Sequence, residues 1–259
     1  MSLRDRIATP EGKRRYVRAL FATIADRYDF ITVALSYGQD RRWKRRLIDL
    51  AAPAAGSRAL DLATGTGDIA FGLAARGARV VGLDITMRML ELATEKRRPP
   101  ERLALLRHGP TSDAPAGARA FQASVSFLQG DMLALPFPAA SFDIVTTGYG
   151  LRNVPNLATA IDEIGRVLVS GGRALSLDFN RPSNGVVRAA YLVYLTAIGA
   201  TLGWLLHRDP DTYRYIPASI RQYPGAEAVV RMFEARGFTS VRAYSVLGGL
   251  MTIHHAVRT

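Results

Sequence analysis

The chain has 259 residues, enough for one α/β domain with additions and a sizeable core. It contains no cysteine, which excludes disulfides, thiolate metal sites and a cysteine nucleophile, and its four histidines (His108, His207, His254, His255) lack a metal-ligand spacing. A net charge of +12 would suit nucleic acid, but the arginines are spread along the chain and no nucleic-acid module is present, so no such partner is expected.

Residues 1–56 read as a helical cap with apolar-periodic stretches at 17–28 and 43–52. No apolar leader precedes them, so a cytoplasmic enzyme is expected. The block Arg41-Arg42-Trp43-Lys44-Arg45-Arg46 suits an anionic membrane surface, or else forms a solvated helix face with Trp43 packed inward. Strands and helices then alternate: strand 58–62, helix 68–75, strand 78–83, helix 86–96, strand 124–129, strand 142–147, helix 156–168 and strand 173–179. That alternation predicts a mostly parallel sheet. Asn156 is the expected cap of its helix, and Ser170-Gly171-Gly172 the expected stop. Residues 97–123, rich in Pro, Gly, Ala and Arg, read as a long mobile surface loop.

Residues 183–224 read as a helical lid inserted before the final strands. Within them, 186–206 is long and apolar enough to span a bilayer. Arg188, Gly199, Gly203 and a position between sheet strands favour a buried or interfacial helix instead. Tyr191, Tyr194, Ile198, Leu202 and Leu205 recur at three- and four-residue steps and predict one face. The last strands, 239–247 and 250–257, flank Gly248-Gly249 and form a hairpin candidate.

The chemistry-bearing signal is Asp61 to Asp68, a strand running through a glycine turn into a helix. Gly65 and Gly67 allow backbone angles and a close ligand approach that side chains would block. Ala70 stands where the dinucleotide fingerprint needs its third glycine. The spacing D-x-x-x-G-x-G resembles motif I of class I methyltransferases. Asp84, ending the next strand, suits a pair of ribose hydroxyls, and Asp131-Met132 after the third strand suits an adenine amine and its apolar face.

Longer stretches narrow the resemblance: residues 21–29, 36–45, 61–68, 134–138, Tyr149-Gly-Leu-Arg-Asn-Val154, 166–172, 211–220 and 249–254. With these the chain resembles the ubiquinone/menaquinone biosynthesis C-methyltransferase family over nearly its whole length. The resemblance implies one Rossmann-like methyltransferase domain over residues 1–259, with a mostly parallel seven-stranded sheet and an antiparallel C-terminal hairpin. It implies S-adenosyl-L-methionine as cofactor, held by Asp61, Gly65, Thr66, Gly67, Asp84, Ile85, Asp131, Met132 and Gly148. The implied reaction is C-methylation of a polyprenylated quinol ring, demethylmenaquinol foremost. The benzoquinol precursor of ubiquinone, or a non-catalytic cofactor-binding assembly subunit, are the alternatives.

An aromatic carbon becomes nucleophilic only when the neighbouring hydroxyl loses its proton. Arg152 stays protonated, so its role would be to hold phenolate charge and orient a water, with His254 or Asp178 as direct acceptors. Plainer roles are a loop ion pair for Arg152 and a core position for His254. Tyr149, Asn153, Tyr191, Tyr194, Tyr213, Tyr215, Ser219 and Arg221 are the candidate walls of the ring pocket. Implied partners are the lipid quinol, a peripheral membrane contact at the inner face of the plasma membrane, and a second copy in a homodimer. The chain departs from the family at Ala63-Thr64, where a glycine is usual, at Gly148, which replaces a serine, and at Asp178 and Asn180, which replace Glu and Ser.

Overall fold

The computed structural model describes residues 3–36, 38–97, 124–209 and 212–259. The expected loop 97–123 therefore lies, apart from Arg97, outside the described residues. In chain order the helices are α1 (Leu3–Arg6), α2 (Pro10–Ile24), α3 (Tyr28–Leu35), α4 (Asp40–Ala51), α5 (Asp68–Ala74), α6 (Met87–Arg97), α7 (Leu157–Val167), α8 (Gly185–His207), α9 (Tyr215–Gln222) and α10 (Ala226–Glu234). The strands are β1 (Arg58–Leu62), β2 (Arg79–Asp84), β3 (Val125–Gln129), β4 (Phe142–Gly148), β5 (Leu168–Phe179), β6 (Phe238–Val246) and β7 (Met251–Arg258). They form one sheet in the order β3-β2-β1-β4-β5-β7-β6. All pairs are parallel except those of β7, which runs antiparallel to both β5 and β6.

Alternation along the central strands splits the core into two layers. Ala59, Val80, Ile144 and Leu175 face α4 and α5 through Trp43, Leu47, Ile48, Ile69 and Leu73. Leu60, Leu62, Leu83 and Val145 face α7 and α10 through Ile161, Ile164, Val229 and Phe233. In α4, Trp43, Leu47, Ile48 and Ala51 are buried at three- and four-residue steps, while Arg41, Arg42, Arg45 and Arg46 stand exposed. Trp43 is thus packed inward.

The caps are local. Thr9 accepts from Gly12 N ahead of Pro10 in α2, Asn156 accepts from Thr159 N, and Asn184 accepts from Val186 N and Val187 N. Two expectations fail for tertiary reasons. Ser170-Gly171-Gly172 does not stop α7, which ends at Val167; these residues lie inside β5. They fill a bulge where the register against β4 shifts from Phe142↔Leu168 to Ile144↔Arg173, with Gly171 at φ 74°. The expected α8 face packs inward at Tyr191, Tyr194 and Leu202 but fails at its far end, Leu205. Tyr191, Leu192, Leu195, Gly199 and Gly203 are buried, whereas Leu205 is exposed. A Cβ on Gly199 would stand 3.1 Å from Tyr213 Cβ, so a small residue also sits on the contact side.

Candidate active site

At the carboxyl ends of β1, β2 and β4 lies a solvent-open cavity, lined among others by Gly65, Asp84, Ile85, Asp131, Met132, Gly148, Tyr149 and Asn153. Asp84 shapes it twice: Oδ2 accepts from Gly65 N at 2.9 Å, and Oδ1 from Thr86 N at 2.8 Å. The carboxylate is held at the cavity wall and in turn holds the glycine turn. Burial pushes its pKa up, against the pull of those amides. Asp131 accepts from Leu133 N at 3.0 Å and pairs with Arg14 of α2 at 2.9 Å, so the N-terminal cap reaches the cavity rim.

Three expected cofactor residues stand elsewhere. Asp61 does not line the cavity: it accepts from Thr64 Oγ1 and Thr146 Oγ1, both at 2.7 Å, and staples the end of β1 to β4. Burial raises its pKa to about 6, the two hydroxyls opposing. Thr66 lies in a neighbouring recess with Lys44, Asp68, Gly148 and Tyr149, and donates to Asp29 at 2.6 Å. Gly67 supplies the left-handed turn, φ 86°, that starts α5. Ala63 adopts φ 50°, a strained value for alanine and comfortable for the glycine that the resemblance leads one to expect there. A Cβ at Gly148 would come 2.7 Å from Ile69 Cδ1, so glycine suits the packing.

A second cavity is lined mostly by apolar and aromatic side chains. Tyr149, Arg152, Tyr191, Tyr194, Tyr213 and Tyr215 line it as expected. Sequence reasoning missed Phe21, Tyr28, Ile31, Trp43 and Phe179, whose helical or strand periodicity reads only as core. Tyr28, Phe21 and Tyr149 line both cavities and form the partition between them. Tyr149 holds that place at φ 60°, an unusual angle for a tyrosine. Asn153 belongs to the first cavity, and its Nδ2 donates to Tyr149 O at 2.7 Å.

Arg152 is buried. Its backbone N donates to Asp178 Oδ2 at 2.9 Å, Nε to Asp178 Oδ1 at 3.1 Å, and Nη1 to Ser219 Oγ. Its guanidinium lies 4.9 Å from the Phe179 ring centre. Among the described residues Nη2 has no protein partner. Asp178 and Ser219 are therefore supports behind Arg152 rather than walls, and Arg221 is exposed at the end of α9. Burial raises the Asp178 pKa while Arg152 and two backbone amides oppose it. Lys13 of α2, unforeseen, donates to Arg152 O at 3.2 Å and Val154 O at 2.8 Å; burial, then Arg152, lowers its pKa to about 8.

His254 is not brought to either cavity. It sits in β7, its Nδ1 3.2 Å from Ser176 Oγ and its Nε2 3.1 Å from Ala226 O. Burial depresses its pKa to about 4, which makes it a weak base as well as a distant one.

An ionic chain links cap, glycine turn and partition. Tyr149 Oη donates to Asp40 at 2.6 Å, Lys44 bridges Asp40 (2.6 Å) and Asp68 (2.9 Å), and Lys96 bridges Asp68 (3.0 Å) and Asp29 (2.5 Å). Burial works against charge on Lys44, yet Asp40 and Asp68 raise its pKa. Lys44 is the one cation of its basic block turned inward, a role its i,i+4 spacing from Asp40 hinted at.

The first cavity fits a nucleoside-type ligand on its own terms. A carboxylate stands at its wall, Ile85 and Met132 offer apolar surface, and Asn153 Oδ1 is buried without a partner among the described residues.

Comparison with known proteins agrees. The model of the ubiE/COQ5 methyltransferase family matches residues 9–258. A demethylmenaquinone methyltransferase of Thermus thermophilus is 41% identical over 237 residues, 91% of this chain and 98% of its own. A ubiquinone/menaquinone biosynthesis C-methyltransferase of Hahella chejuensis is 35% identical, covering 95% and 92%. Among solved structures, a SAM-dependent methyltransferase from Thermotoga maritima, described as a possible histamine N-methyltransferase, superposes with a TM-score of 0.62 at 15% identity, covering 94% of this chain and 100% of that one. The Haemonchus contortus phosphoethanolamine N-methyltransferase 2 in complex with S-adenosyl-L-methionine gives 0.55 at 16% identity, covering 84% and 52%. At such identities these structures speak for the fold.

Proposed function

Because the chain belongs to the ubiE/COQ5 methyltransferase family, we propose that it methylates a ring carbon of a polyprenylated quinol, demethylmenaquinol foremost. The observation that carries this reading is the pair of cavities meeting at Tyr28 and Tyr149, one polar-walled and one aromatic, with the Arg152 guanidinium in the aromatic one. S-adenosylmethionine, when bound, supplies an electrophilic sulfonium methyl. Asp84, Gly65, Ile85, Asp131 and Met132 are the residues that would hold it.

In the aromatic cavity Arg152 is fixed by Asp178 and Ser219, so its remaining donors are presented rather than mobile. Their work is to hold the charge that develops on a quinol oxygen as its proton leaves, and to orient the water that accepts that proton. The carboxylate of Asp178 is already engaged by Arg152 and by Phe179 N, which leaves the water as the acceptor we favour. Tyr191, Tyr194, Tyr213 and Tyr215 exclude bulk water and give the ring and tail an apolar bed. We assign the cap, residues 1–56, and the lid, residues 183–224, as the two covers of the site. The substrate is a membrane lipid, so the protein works at a membrane surface, on its cytoplasmic side.

The relative named for both ubiquinone and menaquinone biosynthesis supports a second substrate, the benzoquinol precursor. Incubating the purified chain with methyl-labelled cofactor and each quinol class decides between them. Label in the naphthoquinol alone is the expected result; label in neither, with cofactor bound, would leave a non-catalytic cofactor-binding subunit.

A further inference from the structure

Helix α8 is the chain's one described helix long and apolar enough to cross a membrane, yet the fold uses only one side of it. Its inward side packs Tyr191, Leu192 and Leu195 against Ile220 and the aromatic cavity. Its outward side, at steps of four and three, is Val186, Ala190, Val193, Ala197, Thr201 and Trp204, all exposed and all but Thr201 apolar. Val186 is 79%, Val193 70% and Trp204 64% accessible. Helix α3, which shares a core cluster with Leu202 and Leu206 of α8, adds exposed Phe30. A stripe of this kind is far from the scattered single apolar residues of an ordinary surface.

The charges around the stripe select its occupant. No Asp or Glu occurs between residues 179 and 208. Arg181 and Arg208 are exposed at the two ends of the helix, and Arg27 donates to Leu206 O beside the second. A tryptophan at one end of an apolar face flanked by arginines matches the layered chemistry of a lipid headgroup region. The inward packing forbids spanning, because Tyr191 and Leu195 would have to leave the protein core.

We propose that the outward face of α8 seats on an anionic lipid bilayer, with the helix lying in the headgroup layer and its inward face admitting a prenyl tail from the bilayer to the aromatic cavity. The docking surface rests on the quinol reading for its purpose, but its test does not need methyl transfer.

The test uses the full chain with phosphatidylcholine vesicles, with and without phosphatidylglycerol. The parent should float with the anionic vesicles, and brominated acyl chains should quench Trp204, since Trp43 is buried. The double variant Val193→Glu/Trp204→Glu changes only exposed positions, so it should keep the parent's melting temperature and its turnover on a short-tailed soluble quinol. Its partitioning onto anionic vesicles should fall by about tenfold or more, and turnover on a vesicle-embedded long-tailed quinol should fall with it. Unquenched Trp204, or unchanged partitioning of the double variant, overturns the proposal. So does a parent that elutes as a dimer, ignores vesicles and becomes monomeric in the double variant, because the face is then a self-interface. Neutralising Arg41, Arg42, Arg45 and Arg46 provides a rival arm: if that abolishes binding and the double variant does not, α4 docks instead. A chain that binds vesicles as described yet methylates no quinol upholds the surface and refutes the reaction.

Discussion

Asp84 lines the first cavity with both oxygens already engaged, one by Gly65 N and one by Thr86 N. Asp84→Ala should therefore weaken S-adenosylmethionine binding by more than about tenfold, since a charge-assisted acceptor is worth roughly 1.5–3 kcal/mol. Calorimetric titration checks it, and unchanged affinity would take Asp84 out of the site. For Arg152 the decisive feature is the planar fork between Asp178 and Ser219. Arg152→Lys keeps the charge but not the fork, so turnover should drop by about 10²–10³ with cofactor affinity nearly unchanged. Near-normal turnover in that variant would move the oxyanion contact elsewhere. His254 makes a different kind of prediction. Its folded pKa, about 4, lies below the ordinary value of 6.5, so between those limits the unfolded chain binds the extra proton and stability falls as pH falls. That contribution amounts to roughly 3 kcal/mol by pH 4. His254→Asn should flatten the loss of melting temperature across this window and leave the pH dependence of turnover alone; a lost limb in the activity profile would restore His254 to the chemistry.

At the scale of elements, α4 is the hinge of the arrangement because it buries two opposite demands. Trp43 and Leu47 anchor it in the core, while Asp40 and Lys44 carry charge inward to Tyr149 and Asp68. Lys44→Met would leave the buried Asp40 carboxylate without its cation, whereas the part-exposed Asp68 keeps Lys96. A loss of roughly 3–5 kcal/mol in urea unfolding is expected, far more than an exposed ion pair would show. Asp40→Asn, which keeps an acceptor for Tyr149 Oη, should cost much less. Equal costs would mean that the chain of charges is not what holds α4 to the partition. Asn156 was legible as a cap in the sequence, and the structure adds Thr9 and Asn184, which cap their helices through equally short-range bonds. Gly171 and Gly172 misled because glycine serves a helix stop and a strand bulge equally, and only the pairing of β5 with β4 distinguishes them.

For the whole molecule, the cavity proposed for the cofactor is closed by pieces far apart in sequence, Arg14 and Phe21 from the cap and Asn153 from beyond β4. Binding there should stabilise the entire fold by mass action. Cofactor at a hundred times its Kd should raise unfolding free energy by about 2.7 kcal/mol, read as a shift of the urea midpoint. Asp84→Ala at the same cofactor concentration should show well under that shift. A cofactor that binds without moving the midpoint would mean that the site persists in unfolded chains, against the long-range construction seen here.

By itself the sequence determined what depends on neighbours along the chain. Apolar periodicity set the order of most strands and helices, Asn156 set the start of its helix, and the glycine turn with Asp84 falls at the wall of a cavity at the strands' carboxyl ends. Only the tertiary structure decided which polar residues face the cavities. Asp61, Asp178 and His254 look in sequence like Asp84 or Arg152, but each is claimed by a partner 3 to 85 residues away: Thr64 and Thr146, Arg152, Ser176 and Ala226. The close approach of Tyr213 to Gly199, and the exposure of Leu205, were decided the same way. The reason is that a side chain's chemistry is written in its own atoms, whereas its availability depends on whether packing has already supplied the partner that a buried polar group requires.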